Sequence, residues 1–338
     1  MATTPMEESA VSRPLNFTFV PEAPDLVSIC DFSPHEIEML MTLCARMKAH
    51  PGEYSTSLKG KQIVLFFEKP SLRTRLTFEA GMGQLGGASF FFDQTASRLG
   101  AREPLSDVAH NLERWVDGIV LRTFEHSTVT GMAEHASIPV INALSDLEHP
   151  CQALADYFTL SEHLGDLRKV TLSYVGDGNN MAHSLMFVAA SLGSHIKIGT
   201  PKGYAPNALL LARAQAIAST TGGSVEVIHD PAEAVRGANA VYTDVWASMG
   251  QEDEAEERRG IFLPFQVNQE LMSHTAPGAL FMHCLPAHRG EEVEATVIDS
   301  PASVVFDQAE NRLHIQKAIM LSLMGGKRRQ TQRSANAQ

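Results

Sequence analysis

Cysteine is scarce in this sequence. Cys30, Cys44, Cys151 and Cys284 are its four cysteines among 338 residues. No two of them form a Cys-x-x-Cys pair, so neither a zinc site nor a dense disulfide framework is indicated. Positive charge is also in short supply. Lys and Arg total 27 against 39 Asp and Glu, a formal net charge of −12, which disfavours general binding to nucleic acid or to an anionic membrane. No apolar run is long enough to span a bilayer. The first residues carry Glu7 and Glu8 and lack a signal-type apolar core. A cytoplasmic protein with reduced thiols is therefore expected. The chain lacks the Gly-x-x-x-x-Gly-Lys-Ser/Thr pattern of a P-loop and shows no Cys-His-Asn protease pattern.

What the chain does have is a 44% hydrophobic fraction, enough for substantial cores, over a length that suggests roughly two domains. Residues 1–21 and 326–338 read as flexible tails, the second basic, with Lys327-Arg328-Arg329 before a Gln/Ser/Ala-rich end, and either solvated or partner-binding. Between them strand and helix patterns alternate, predicting α/β architecture with parallel sheets. In the first half, strands are expected at 63–67, 88–92, 118–121 and 139–142. A capping-box helix opens at Ser33-Pro34-His35-Glu36, and others lie near 104–115 and 153–163. In the second half, strands are expected at 170–175, 195–199, 224–228, 240–242, 279–284 and 304–306. The last helix spans 310–323. The unusual polar residues fall just after strands, where open α/β sheets build their sites.

One stretch breaks a local rule. Pro70 stops the strand at 63–67, and Ser71 is a good N-cap for a helix carrying Leu72, Leu76, Ala80 and Gly83 on one face. Its first turn holds Arg73 and Arg75, where unpaired N–H groups and the helix dipole already favour negative charge. Two readings stand. Both arginines point into solvent, or an anion sits at the turn, held by N–H groups, the Ser71 and Thr74 hydroxyls and an arginine fork.

Four further segments also have two readings. His149-Pro150-Cys151-Gln152 caps and packs a helix entrance, or offers a donor to a carbonyl oxygen and an acceptor to an amide NH2, with Arg122 serving the same oxygen. Gly176-Asp177-Gly178-Asn179-Asn180 looks like a nucleotide-binding glycine loop but lacks the third glycine. The next strand runs into Thr200-Pro201 without the terminal acid that would hold a ribose. A dehydrogenase is thus disfavoured, and the loop is expected to present Asn180 to a substrate. Asp244-Val245-Trp246-Ala247-Ser248-Met249-Gly250 is a surface loop or a recognition segment for an α-amino acid. Cys284, in His283-Cys284-Leu285-Pro286, is inert packing, or a thiol able to bind an amine or titrate against Asp244. Arg312 is surface charge or reaches a site between domains.

Ser71-Leu72-Arg73-Thr74-Arg75 resembles the Ser-Thr-Arg-Thr-Arg carbamoyl-phosphate signature of the carbamoyltransferases, with Leu72 in place of the commoner Thr. A backbone N–H contact survives that change; a hydroxyl contact does not. With Arg122-Thr123-Phe124, His-Pro-Cys-Gln, Gly-Asp-Gly-Asn-Asn, Asp-Val-Trp-Ala-Ser-Met-Gly, His-Cys-Leu-Pro and Asn-Arg-Leu-His in this order, the chain from about Leu26 to Gly325 is similar to the ornithine carbamoyltransferases.

The resemblance implies two open parallel-sheet α/β domains joined by crossing helices. Residues 22–149 plus 311–325 would bind carbamoyl phosphate and 150–310 would bind L-ornithine. It further implies a homotrimer or an assembly of trimers, and no metal or organic cofactor. Ser71, Leu72, Arg73, Thr74, Arg98, Arg122, His149, Gln152, Cys284, Leu285 and Arg312 would surround carbamoyl phosphate, Arg73, Arg122, His149 and Cys284 among them acting in catalysis. Asn180, Asp244, Ser248 and Met249 would bind ornithine. Arg98 departs from the Gln or His that related enzymes often carry nearby, in a loop that in the family approaches a neighbouring subunit. The implied reaction is transfer of the carbamoyl group to the ornithine side-chain amine, giving citrulline and phosphate in arginine biosynthesis. A carbamoyltransferase for an acylated ornithine or another amine stays open, as does a nonenzymatic binding protein that retains the cleft.

Overall fold

The computed structural model describes residues 18–93, 98–247 and 252–326. In chain order its helices and strands are α1 (Pro34–Ala49), β1 (Gln62–Phe67), α2 (Leu72–Gln84), β2 (Ala88–Asp93), α3 (Leu105–Leu112), β3 (Gly118–Arg122), α4 (His126–His135), β4 (Val140–Leu144), α5 (Pro150–Leu164), β5 (Thr171–Val175), α6 (Asn180–Leu192), β6 (His195–Gly199), α7 (Ala208–Thr221), β7 (Ser224–Ile228), α8 (Pro231–Val235), β8 (Ala240–Thr243), α9 (Ala255–Phe262), α10 (Gln269–Met272), β9 (Leu280–His283), α11 (Ala295–Ile298) and α12 (Val305–Met324). Short 3-10 turns complete the connections.

The strands form two parallel sheets, ordered β2-β1-β3-β4 and β7-β6-β5-β8-β9. These make two α/β domains. In each sheet the chain first builds to one side and then returns to the other, so the strand order reverses between β1 and β3, and between β5 and β8. A crevice opens at the carboxyl ends of strands where such a reversal occurs. The carboxyl ends of β1 and β3 carry the 68–74 turn and Arg122. Those of β5, β8 and β9 carry the glycine loop, Asp244 and Cys284. Both reversals face one cavity.

Helices α5 and α12 cross between the sheets. Their contact carries a polar seam inside an apolar core: Asn311 Nδ2 donates to Thr159 Oγ1 at 2.9 Å, and Lys48 from α1 reaches Asn311 Oδ1 at 2.8 Å. Buried polar groups paired in this way specify one register for the crossing. Helix α6 is buried along its whole length from Met181 to Leu192, which its Met, Leu, Phe, Val and Ala content permits.

One expectation needs correction. Residues 304–306 are not a strand. A single bridge pairs Ser303 with Phe281, and Val304 N donates to Phe281 O at 3.0 Å before the chain turns into α12. Helix-forming residues downstream prevail over the β-branched run. Helix α9 is rich in Glu and Arg, which favour helix. Leu72, Leu76, Ala80 and Gly83 do share a face of α2, but that face is exposed, with Leu72 at 72% and Leu76 at 51%. The inward face is Thr74, Phe78, Gly81 and Met82, with Gly81 fitted against Lys317 and Met320 of α12. The expectations on the two tails lie largely outside the described residues.

Candidate active site

The turn after β1 separates its two arginines. Ser71 caps α2, its hydroxyl oxygen accepting from Thr74 N at 3.3 Å and its hydroxyl donating to Thr74 Oγ1 at 3.0 Å. Arg73 turns inward and its buried Nε has no protein partner. Arg75 turns outward, bonding Glu79 at 3.1 Å and lying 3.8 Å from the Phe91 ring centre. The expected fork therefore has one arginine from this turn. Its other members come from far along the chain: Arg122 from the end of β3 and Arg312 from α12. Arg312 donates to Thr74 Oγ1 at 2.5 Å, and Arg122 Nε donates to the Lys69 carbonyl at 3.2 Å.

These side chains line a cavity of about 370 Å³ with His149, Gln152, Asn180, Asp244, Cys284 and Leu285. Burial, then the neighbouring Arg312 and Arg73, push Arg122 down to about 9. Burial and Arg73 likewise lower Arg312. Burial, Arg312 and Arg122 hold His149 well below the usual imidazole range, so the ring is neutral at neutral pH. Besides Arg73 Nε, the buried Arg312 Nε, His149 Nδ1 and Gln152 Oε1 lack protein partners. Buried donors and acceptors are normally satisfied. A small anion with an attached amide would satisfy this set, and a phosphate would counter the crowded guanidiniums.

The opposite wall is arranged differently. Asp244, just beyond β8, accepts from Val245 N at 2.8 Å and from the Cys284 thiol at 3.0 Å. Burial, then Asp244, raise Cys284 well above its ordinary value, so it stays a protonated donor. Asn180 Nδ2 donates to the Ser145 carbonyl at 2.7 Å. Asn179 caps α6 through Met181 N at 2.9 Å. A Cβ at Gly178 would lie 2.3 Å from Pro206 N, so this glycine permits close packing against the 204–206 segment.

Asp244, His283 and Cys284 offer ligand atoms within 4.8 Å of one another. His283 is already committed at both nitrogens, accepting from Leu285 N at 2.8 Å and lying 3.2 Å from Glu292 Oε1. The lone pair at Nδ1 that a metal would need accepts from Leu285 N instead. Leu285 has φ 56, a left-handed backbone unusual for its side chain, beside the cavity.

The arrangement brings together Ser71, Leu72, Arg73, Thr74, Arg122, His149, Gln152, Asn180, Asp244, Cys284, Leu285 and Arg312 from the sequence reading. Ser248 and Met249 lie outside the described residues. Arg98 is exposed, 3.4 Å from Glu125 and 4.7 Å from the Phe124 ring centre, and does not line the cavity. Sequence reasoning missed Lys69, which lines the same wall with its Nζ 4.6 Å from the Phe124 ring centre. Its place between a strand end and Pro70-Ser71 was the available signal.

Two family descriptions match nearly the whole chain. "Aspartate/ornithine carbamoyltransferase, carbamoyl-P binding domain" covers residues 24–162, and "Aspartate/ornithine carbamoyltransferase, Asp/Orn binding domain" covers 168–323. The chain belongs to the aspartate/ornithine carbamoyltransferase family. One carbamoyltransferase relative, the ornithine carbamoyltransferase of Thermococcus kodakarensis, is 52% identical over 89% of this chain and 96% of its own length. The relative from Pyrococcus furiosus named ornithine carbamoyltransferase, anabolic, is 49% identical over 89% and 96%. A solved structure of a Pyrococcus furiosus ornithine carbamoyltransferase superimposes with a TM-score of 0.88 at 48% identity, covering 92% of this chain and all of that one.

Proposed function

We propose that the cavity binds carbamoyl phosphate on its cationic wall and L-ornithine on its Asp244 wall, and transfers the carbamoyl group to the ornithine side-chain amine. The observation that carries this reading is the cluster of half-buried Arg73 with buried Arg122 and Arg312 beside unpartnered His149 and Gln152 atoms, opposite a buried carboxylate.

The phosphate sits at the first turn of α2 against its backbone N–H groups, including that of Leu72, with Ser71, Arg73, Thr74 and Arg312. Lys69 adds a further positive charge. Arg122, Thr74 and His149 face the carbonyl oxygen, and Gln152 Oε1 with the Leu285 carbonyl accepts from the NH2. Asn180, Asp244, Ser248 and Met249 hold ornithine, with the Cys284 thiol orienting Asp244.

The neutral amine attacks the carbonyl carbon, forming the N–C bond. Arg73, Thr74, Arg122 and His149 stabilise the developing oxyanion. The C–O bond to phosphate then breaks, and an amine proton leaves with the phosphate, giving citrulline. Proximity supplies much of the acceleration. This set needs no metal or organic cofactor.

Residues 22–149 plus 311–325 form the carbamoyl-phosphate domain and 150–310 the ornithine domain. The return of α12 onto α1 and α2 supports that division, and its packing on α5 joins the two domains. The assembly is a homotrimer or a set of trimers. The exposed Leu72–Leu76–Ala80–Gly83 face and Phe90 and Phe92 on edge strand β2 support burial against another copy. Arg98 would act there, toward a neighbouring subunit's phosphate. Four unpaired cysteines support a cytoplasmic location, and among the described residues no helix is long and apolar enough to cross a membrane. The named direction of the Pyrococcus furiosus relative supports a role in arginine biosynthesis.

The test is product formation from carbamoyl phosphate with ornithine, N-acetylornithine, N-succinylornithine, putrescine and aspartate as separate acceptors. A dominant specificity constant for ornithine is expected. Preference for another acceptor would keep the cationic wall and overturn the assignment of the Asp244 wall. Ligand binding without turnover would leave a binding protein.

A further inference from the structure

Behind Gln152 lies a carboxylate that the displacement does not use. Asp156 is one helical turn further along α5 and is fully buried, at 0% exposure. Its Oδ1 accepts from Gln152 Nε2 at 2.8 Å and from Gln308 Nε2, on α12, at 2.7 Å. The Gln308 carbonyl in turn accepts from His283 N at 3.0 Å, next to Cys284. The Tyr242 hydroxyl also faces the carboxylate. Gln152 Oε1 is left buried without a protein partner on the cavity wall.

The two ends of a glutamine amide are opposite in function: one donates and one accepts. A Gln152 turned the other way would direct its NH2 at the substrate's NH2, donor against donor. Which end faces the cavity is decided by what stands behind it. An oxygen of Asp156 can only accept there, so it draws Nε2 backward and leaves Oε1 forward. The same oxygen draws Gln308 Nε2, which leaves the Gln308 carbonyl for His283 N. One acceptor atom thereby sets the direction of both amides. Burial pushes Asp156 up to about 7, against the hydrogen bonds from Gln152 and Gln308. Protonation on its other oxygen would still leave Oδ1 accepting, so the direction holds in either state.

We propose that Asp156 is a positioning residue that locks the Gln152 amide with its oxygen toward the cavity, and so makes the site select a ligand bearing an NH2 beside its phosphate. This rests on the assignment of Gln152 to the carbamoyl NH2.

The experiment compares two probes by calorimetry with the purified full chain. Inorganic phosphate reports the cationic wall, and phosphonoacetamide adds a carboxamide. Asp156→Leu removes every acceptor at that position. It is expected to reduce the preference for phosphonoacetamide over phosphate roughly tenfold, the scale of one buried hydrogen bond, with the phosphate Kd within about twofold of wild type. Asp156→Asn keeps an accepting oxygen in the same shape and is expected to restore the preference. A merely structural role would weaken both probes together, and that outcome overturns the proposal, as does an unchanged preference in Asp156→Leu. If Leu blocks folding, Asp156→Ala is read in the same way. Failure of both variants to fold while Asp156→Asn folds assigns Asp156 to the core and also overturns it. Gln152→Met separates the two assignments. If it keeps the amide preference, the Gln152 role itself is wrong. If it loses the preference while Asp156→Leu keeps it, only the Asp156 role is wrong.

Discussion

The turn after β1 and the turn after β5 are built alike and end differently. Each follows the first strand of its sheet, each delivers the chain into a helix, and each helix is capped by a side chain, Ser71 in one and Asn179 in the other. Around α2 the neighbouring polar groups are crowded, alike in charge and partly unpartnered. Around α6 they are satisfied: Asn179 accepts from Tyr174 and Met181, and Asp177 pairs with Arg258 at 2.9 Å. A glycine-rich turn resembling a nucleotide loop thus has Gly178 committed to packing, whereas a turn with no glycine carries the crowded guanidiniums and unpartnered donors. Unsatisfied like charges are a better sign of an anion site than the glycine pattern.

Breaking the cationic turn should have the largest effect. Arg73→Ala is expected to lower citrulline formation at saturating ornithine by roughly 10²–10³ fold, the scale of a lost oxyanion donor. Near-normal turnover would remove Arg73 from the catalytic set. On the facing wall, Asp244→Asn should raise the KM for ornithine roughly 10–100 fold, as for a lost charge-assisted bond, while inorganic phosphate binds as before. Equal loss of both ligands would merge the two walls into one.

His149 sharpens the comparison through pH. Its pKa is depressed, so the fold holds the neutral ring and its titration lies below the ordinary imidazole value. Above pH ~6.5 the rate should rise only because the amine, ordinarily near ~10.4, loses its proton. His149→Gln is expected to lower kcat by about 10²–10³ fold, the scale of a lost oxyanion donor, without changing the shape of the profile from mildly acidic to alkaline pH. A midpoint displaced by a full unit would make His149 the titrating group. Linkage has the same sign. The unfolded ring binds a proton first, so this histidine's contribution to stability is present above pH ~6.5 and declines as pH falls.

The smallest effect belongs to the satisfied turn. Gly178→Ala should lower stability by about 1–3 kcal/mol, since its Cβ would meet backbone at 2.3 Å. Turnover per folded molecule and phosphate affinity should change little, checked by denaturation and assay together. A selective loss of carbamoyl-phosphate affinity would mean that the loop touches that ligand.

The strand–helix alternation and the places where polar segments follow strands were legible in the chain. They arise from local periods and from caps formed within a few residues, as in Ser33 with Glu36 and Ser71 with Thr74. The rule-breaking first turn of α2 was legible for the same reason. The direction of each arginine was not. Arg73 and Arg75 are two residues apart and so lie on different sides of one helix, and only packing against α12 decides which side is inside. That choice also left the Leu72 and Leu76 face outward, although its composition suits a core equally well. Lys69 and Asp156 became meaningful only when Phe124 and Gln308 were brought beside them from distant parts of the chain. Local periodicity and capping along the chain set the elements, their order and the chemistry available after each strand. The tertiary structure decided which of those groups share a cavity, because burial, charge crowding and the direction of an amide depend on neighbours from distant parts of the chain.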